Sequence, residues 1–332
     1  MSRHRRRSHL IVLLLAGLAA AVSGCGSADL DGKVTVVGST TLLPMISGIA
    51  GTFSAEHPLV RMNVRMAGTS DGVGLFCDGL AAITGASRPL NAQEQANCKA
   101  SHVRYVRLHV ANDGVVLFTA DDKNLPTCLT SKQIYSLMGP ESVGVEAWNE
   151  AGTVIKGTGN DLPARPITVL GPDAGAGTRQ VLVDLMIGPI AEERGMVPTL
   201  RSDYTAIPSE LLIPSATSSA PGGLGFTGMA VMAQSDQKIL TVAIDSGDGC
   251  VKPTVAHVRD GSYALGRPLF LYVNLDAVTS DPTLRAFVDQ VLQPSGLSVA
   301  ASTGGIALDT REGDATRGHW QTALDAQLGD AA

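Results

Sequence analysis

The sequence predicts an α/β protein built as two lobes with mostly parallel sheets. β-branched runs alternate with helix-period segments along most of the 332 residues, which is the pattern of strand–helix units. Three of the strand-to-helix joins carry glycine beside Ser, Thr or Ala. The chain left after an amino-terminal export signal, about 300 residues, exceeds what one simple core usually supports.

The chain opens "MSRHRRRSHLIVLLLAGLAAAVSGCGS". Four arginines precede an apolar run from Leu10 to Val22, too short for an ordinary membrane-spanning helix and followed by small residues. Residues 1–24 therefore read as a lipoprotein signal peptide. Val22-Ser23-Gly24-Cys25 looks like a bacterial lipobox, which makes Cys25 the acylated first residue of a protein lipid-anchored outside the cell membrane. Loss of residues 1–24 moves the formal charge from −6 to −10. An acidic chain without a basic tract is a poor nucleic-acid partner. Aromatic residues make up only 4% of the chain against 37 glycines, which favours tight turns over large aromatic pockets.

Besides Cys25 there are Cys77, Cys98, Cys128 and Cys250. An even number in an exported chain implies disulfides, and spacing alone allows three pairings. No C-x-x-C and no paired histidines occur, so neither a metal nor another cofactor is expected.

Taken in order, "KVTVVGSTTLLPMISGIAGTFSAEH" runs from a strand through Gly38-Ser39-Thr40-Thr41 into an amphipathic helix ending near His57-Pro58. "VRMNVRMAGTSDGVGLFCDGLAA" repeats the plan, with a helix starting near Asp71. "AAITGASRPL" puts Ser87 and Arg88 just after a short strand, and "PITVLGPDAGAGTRQVLVDLMIG" turns at Gly175-Ala176-Gly177-Thr178. The first turn of a helix leaves backbone N–H groups without partners, and the dipole adds about half a positive charge there. Glycine lets backbone approach a ligand, and hydroxyls add donors. Such turns suit an anion.

Two rival chemistries fit less well. "GPDAGAGTR" lacks the lysine and the glycine spacing of a phosphate-binding nucleotide loop. Gly68-Thr69-Ser70-Asp71-Gly72 does match G-x-S-x-G, so a serine hydrolase would use Ser70 with His257 or His319. Neither histidine lies in a hydrolase signature, and the motif arrives before a hydrolase sheet could assemble around it. Enzymatic function is not expected.

The motifs "VVGSTTLLP", "GTSDGV", "FCDG…ITGASRPL…C", "CLTSKQIYSLM…W", "GPDAGAGT", "GLGFTGMA" and "GSYALGRPLFLYV" occur in one order. From about residue 33 to 293 the chain thereby resembles the bacterial phosphate-binding proteins, extracytoplasmic receptors of the high-affinity phosphate ABC importer. The resemblance implies a periplasmic-binding-protein-like fold (type II) with a ligand cleft between lobes joined by a two-crossing hinge. Residues 25–110 plus 260–332 would form lobe 1, and residues 111–259 lobe 2. It implies inorganic phosphate as ligand, membrane permease subunits as partners, and a monomer. A paralogous receptor that senses phosphate or binds another oxyanion is the alternative.

Carried over residue by residue, the resemblance gives Thr40, Thr41 and the backbone of Leu42 to the first helix start. It gives Thr69 and Ser70 to the second as hydroxyl and N–H donors. Ser87 and Arg88 follow, with Arg88 as the only arginine beside the helix starts and the charge partner of the anion. Gly175, Ala176, Gly177 and Thr178 would close the cleft from the other lobe. The resemblance also selects Cys77–Cys98 and Cys128–Cys250 as the disulfides. Ala176 stands where relatives commonly have serine, and Arg88 where another branch has an aspartate that accepts the proton of hydrogen phosphate. Asp113 is the expected substitute acceptor, with Asp71 second.

Overall fold

In the computed structural model, residues 30–329 are described, and Cys25 with the expected signal peptide lies outside them. β1 (Gly32–Gly38), α1 (Leu43–Glu56), β2 (Val60–Met66), α2 (Thr69–Cys77), β3 (Ile83–Ala86) and α3 (Ala92–Ala100) alternate, and β4 (Tyr105–Ala120) follows. The middle of the chain holds β5 (Cys128–Thr130), α4 (Ser131–Met138), α5 (Ala151–Val154), β6 (Thr168–Pro172), α6 (Gly177–Leu182) and α7 (Gly188–Glu193). It continues through β7 (Thr205–Ile207), α8 (Ile213–Ser219), β8 (Gly223–Gly228), α9 (Met229–Ala233), β9 (Ile239–Asp245), β10 (Cys250–Val251) and α10 (Val255–Arg259). β11 (Gly266–Asn274), α11 (Leu275–Ser280), α12 (Pro282–Leu292), α13 (Pro294–Ser302) and α14 (Thr310–Gly329) complete it.

Local chemistry sets several of these ends. α1 carries Pro44 in its first turn and stops before His57-Pro58, because the residue before proline is pushed out of helical conformation. α3 and α4 open with reciprocal capping boxes, Asn91 with Glu94 and Thr130 with Gln133, each satisfying two orphan donors. α12 begins at Pro282 behind the Asp281 cap, using the residue best tolerated at a first turn.

Two large apolar cores result, beside smaller clusters around Phe76 and Phe118. One gathers Val34, Ile46, Phe53, Leu108, Phe287 and Trp320; the other gathers Leu117, Tyr135, Trp148, Phe226, Val242 and Tyr263. The chain passes between them within β4, where Ala111 belongs to the first core and Val115 to the second. It passes back between Leu265 and Leu269, as β11 begins. β1 lies parallel between β2 and β3, and β11 runs antiparallel between β3 and β4. Beyond Gly114, β4 pairs antiparallel with β8 and β9, and β8 and β7 both flank β6 in parallel. The chain thus forms the expected two-lobed α/β architecture, but its sheets are not mostly parallel. Among the described residues five strand pairings are parallel and five antiparallel, because β4 and β11 run antiparallel to every strand they pair with.

At the crossing, Gly266 faces Gly114 and Arg267 faces Asp113 in register. A Cβ on Gly114 would lie 2.7 Å from Met229 Sδ, and one on Gly266 would lie 3.0 Å from Val258 Cγ2. The glycines let α10 and α9 press onto the ribbon where the lobes meet. Asn112 and Ile306 exchange backbone bonds of 2.8 and 2.7 Å, which fastens the segment after α13 to the same place. Trp320 Nε1 donates to Asp289 Oδ1 at 2.6 Å and ties α14 to the first lobe.

The disulfides are Cys77–Cys98 and Cys128–Cys250, the pairing implied by the resemblance. The first joins the end of α2 to α3 and the second joins β5 to β10.

Lobe 2 is also held by two forked ion pairs. Arg194 donates Nε to Glu141 Oε2 at 2.6 Å and Nη2 to Oε1 at 2.9 Å, while Tyr135 donates to Oε2 at 2.7 Å. These bonds, Arg194 first, hold the Glu141 carboxyl down at about 2. Arg201, itself donating to the Leu137 and Val145 carbonyls, holds Asp203 at about 2. A carboxylate depressed on folding stabilises the fold fully above its unfolded value, near 4, and ceases to as pH falls towards its folded value. Melting followed by circular dichroism is therefore expected to fall between about pH 4.5 and pH 2 from these pairs. Glu141→Gln should lower the melting temperature at pH 7 and flatten that acid slope; an unchanged slope would exclude the Glu141 pair as a source of it.

Candidate functional site

Behind the first-lobe wall of the interlobe cleft, glycines pack against one another. Gly38 has φ +115, open to glycine at little cost. A Cβ on it would overlap the Gly85 backbone and sit 2.8 Å from Thr84 Oγ1. A Cβ on Gly72 would overlap Gly38 in turn. The end of β1 and the first turns of α2 can therefore converge on the end of β3 only because Gly38 and Gly72 lack side chains. The closing glycine of the G-x-S-x-G pattern is a packing residue.

This convergence lines one wall with Ser39, Thr40, Thr41, Thr69, Ser70 and Ser87 around a cavity of about 740 Å³. α2 starts at Thr69, so the N–H groups of its first turn lack intrahelical acceptors and face the same space. Thr69 Oγ1 accepts from Ser87 N at 3.2 Å and shares a proton with Ser87 Oγ at 3.1 Å. Ser70 Oγ accepts from Arg88 Nη2 at 3.0 Å, which leaves its own O–H for another acceptor. Thr41 Oγ1 accepts from Arg267 Nη2 at 2.8 Å and is in the same position.

The opposite wall comes from lobe 2 through Ala174, Gly175, Ala176, Gln180, Asp184 and Leu185. Gly175 N–H turns back on Asp173 Oδ1 at 3.2 Å. A Cβ on Gly177 would stand 3.1 Å from Thr41 Oγ1, so the start of α6 abuts the first-lobe turn directly. Asp184 lies in the π-helical turn Val183–Ile187 that joins α6 to α7, and its Oδ2 stands 3.8 Å from Arg267 Nη1.

Two arginines line the cleft, where the sequence offered one. Arg88 is clasped by Glu94, with Nη1 to Oε2 and Nη2 to Oε1 both at 2.8 Å. That guanidinium holds the Glu94 carboxyl below the usual range, and Glu94 raises Arg88. Arg267 is 5% exposed and donates Nε to Asp113 Oδ2 at 3.4 Å; its Nη1 lies 3.8 Å from Asp184 Oδ2. Burial pushes the Asp113 carboxyl up and the Arg267 guanidinium down, against their mutual attraction.

Of the expected residues, Thr40, Thr41, Thr69, Ser70, Ser87, Arg88, Gly175 and Ala176 come together around the cleft. Four lie outside its lining. Leu42 is 1% exposed, its side chain in the lobe 1 core. Gly177 is spent on the contact with Thr41, and Thr178 donates its hydroxyl to Glu210 Oε2 at 3.1 Å. Asp113 sits behind Arg267, 6% exposed. Arg88 as sole arginine is corrected by Arg267, which reaches the cleft from β11, remote in sequence. Asp184, Glu192 and Gln180 also line the cleft unforeseen. His257 is in α10 with Nδ1 against the Lys252 carbonyl, and His319 is in α14, so neither stands by Ser70. The arrangement offers oriented hydroxyls, helix-start N–H groups and guanidinium edges, a donor set for an oxyanion.

A PBP superfamily domain matches residues 23–295. The chain is 29% identical over 291 residues to protein SphX of Synechocystis sp., covering 87% of this chain and 81% of that protein. It is 26% identical to the phosphate-binding protein PstS of Staphylococcus aureus strain MRSA252, covering 88% and 83%. Among solved structures, a possible phosphate binding protein from Planctomyces limnophilus DSM 3776 superposes with a TM-score of 0.79 at 28% identity, covering 89% of this chain and 99% of that one. With the domain spanning most of its length and a two-lobed fold around a shared cleft, the chain belongs to the PBP superfamily.

Proposed function

We propose that the chain is a receptor, not an enzyme, that binds inorganic phosphate outside the cytoplasmic membrane and delivers it to an ABC permease. The observation that carries this reading is the pairing of each cleft arginine with a hydroxyl, Arg88 with Ser70 and Arg267 with Thr41, beside open helix starts. Relatives named as phosphate-binding proteins support the choice of ion. Charge-assisted bonds contribute about 1.5–3 kcal/mol each. A handful, less desolvation and closure, suffices for the ~8 kcal/mol of micromolar affinity. The protein is proposed to act as a monomer anchored through acylated Cys25. A second reading, a paralogue for another oxyanion or for sensing, is favoured by Ala176, which brings no hydroxyl to the lobe 2 wall.

Near neutral pH phosphate carries a proton and sulfate carries none, so preference for phosphate needs an acceptor facing the anion. Asp113 is turned to Arg267, whereas Asp71 and Asp184 line the cleft. Gln180 Nε2 holds Asp184 Oδ1 at 2.6 Å and leaves Oδ2 towards Arg267. We place the acceptor at Asp184.

Titration calorimetry of phosphate-stripped protein should give a phosphate affinity at least about tenfold above that for sulfate, a difference of 1.4 kcal/mol. Asp184→Asn should narrow that preference more than Asp71→Asn. Equal binding of sulfate by the wild type would favour the second reading, and no binding of either would end both. Separately, Cys25→Ser should move the protein from the membrane to the soluble fraction. A variant that stays membrane-bound, with no lipid on wild type by intact mass, would refute the anchor.

A further inference from the structure

The two cleft arginines are not equally free to bind. A guanidinium carries five N–H donors. Arg88 has four of its five committed: Nη1 to the Pro89 carbonyl at 3.1 Å and to Glu94 Oε2 at 2.8 Å, Nη2 to Glu94 Oε1 at 2.8 Å and to Ser70 Oγ at 3.0 Å. Only Nε–H is left, so the planar fork that would grip an oxyanion is already filled by the Glu94 carboxylate. Arg267 commits Nε to Asp113 at 3.4 Å and one Nη2 proton to Thr41 at 2.8 Å. Its Nη1 is 3.8 Å from the nearest Asp184 oxygen, beyond hydrogen-bond reach. Three donors remain, both of those on Nη1 among them.

Their surroundings differ in the same sense. Arg88 is neutralised by a carboxylate in a close, two-bonded clasp, and Glu94 is itself fixed as the capping residue of α3, its Oε2 also accepting from Asn91 N at 2.8 Å. Arg267 is 5% exposed yet lines the cavity, and its contact with Asp113 is long and single. A buried cation with unspent donors gains most from an anion that arrives in the cleft.

We infer that Arg267 is the principal oxyanion-binding cation of this cleft, and that Arg88 is a positioning residue acting through Ser70. Arg267 offers two or more N–H groups to a tetrahedral oxyanion at the crossing of the lobes, with Thr41 as an adjacent donor whose proton it orients. Arg88 occupies the lone pair of Ser70 and so points the Ser70 proton at the ligand. The inference rests on the oxyanion-receptor reading above.

The test is calorimetric titration of the phosphate-stripped full chain with inorganic phosphate, alongside melting by circular dichroism. Arg267→Lys, which keeps a cation against Asp113, is expected to weaken binding about 10- to 100-fold, the loss of about one charge-assisted bond. Arg267→Met/Asp113→Leu removes both buried charges together, is expected to stay folded, and should bind at least as weakly. Arg88→Gln should cost no more than Ser70→Ala, and the double variant no more than either alone, because both remove the same directed proton. Unchanged melting in Ser70→Ala separates that loss from a packing defect. If a folded variant lacking the Arg267 guanidinium binds phosphate within about twofold of wild type, the assignment of Arg267 is wrong. If the Arg88 and Ser70 losses add fully, the relay is wrong. Wild type that binds no oxyanion would overturn the receptor reading and this assignment together, an outcome distinct from wild-type binding that ignores Arg267.

Discussion

The ion pair between Arg267 and Asp113 is the constraint around which the molecule is arranged. It joins two residues that face each other in register on β4 and β11, at the point where both strands leave one core for the other. Taking two charges out of water costs several kcal/mol per ion, and a single contact of 3.4 Å repays little of it. Such a pair is weak evidence of stability and better read as a fixing device. Register in a ladder with buried faces cannot slip by one residue without inverting every side chain. A slip here would also strand a buried arginine. The pair therefore marks the register in which β4 and β11 cross from one lobe to the other.

On that base the cleft is built by omission. Gly38 and Gly72 let three chain turns meet in a space that any side chain would fill. What lines the cavity is then mostly backbone and short hydroxyls, whose positions are set by the turns. Donors held this way lose little conformational freedom when a ligand arrives. The two arginines sit behind hydroxyls and orient them, so cationic charge is transmitted through oriented dipoles as well as by direct contact.

Much of this was legible in sequence. The alternation of strands and helices and the glycine turns gave the fold class, and the hydroxyls at the helix starts gave most of the first wall. Long-range pairing was not legible. Arg267 lies in "GRPLFLYV", a strand by every local signal, and its partner Asp113 is 154 residues away. One cue was available: a charge inside an otherwise apolar strand requires a buried partner. Glu94 had a stronger cue, since Asn91 with Glu94 has capping-box spacing just after Arg88. Thr178 misled because a hydroxyl at a helix start looks alike whether it serves a ligand or, as here, Glu210. Asp184 sits in a π-helical turn, which has no dependable mark in sequence.

The continuity of β4 through both sheets bears on how such a receptor opens. Residues on either side of Asp113 belong to one strand, paired with β11 through Gly114, with a register shift between Leu269 and Phe270, and with β8 and β9 after it. Relative motion of the lobes would have to twist this ribbon of β4 and β11 together with the third segment that the Asn112–Ile306 bridge fastens to it. A ribbon returns elastically to one rest angle, whereas a loop wanders among many. The set of the two lobes is thereby tied to strand twist and to the Met229 and Val258 side chains of α9 and α10, wedged against Gly114 and Gly266.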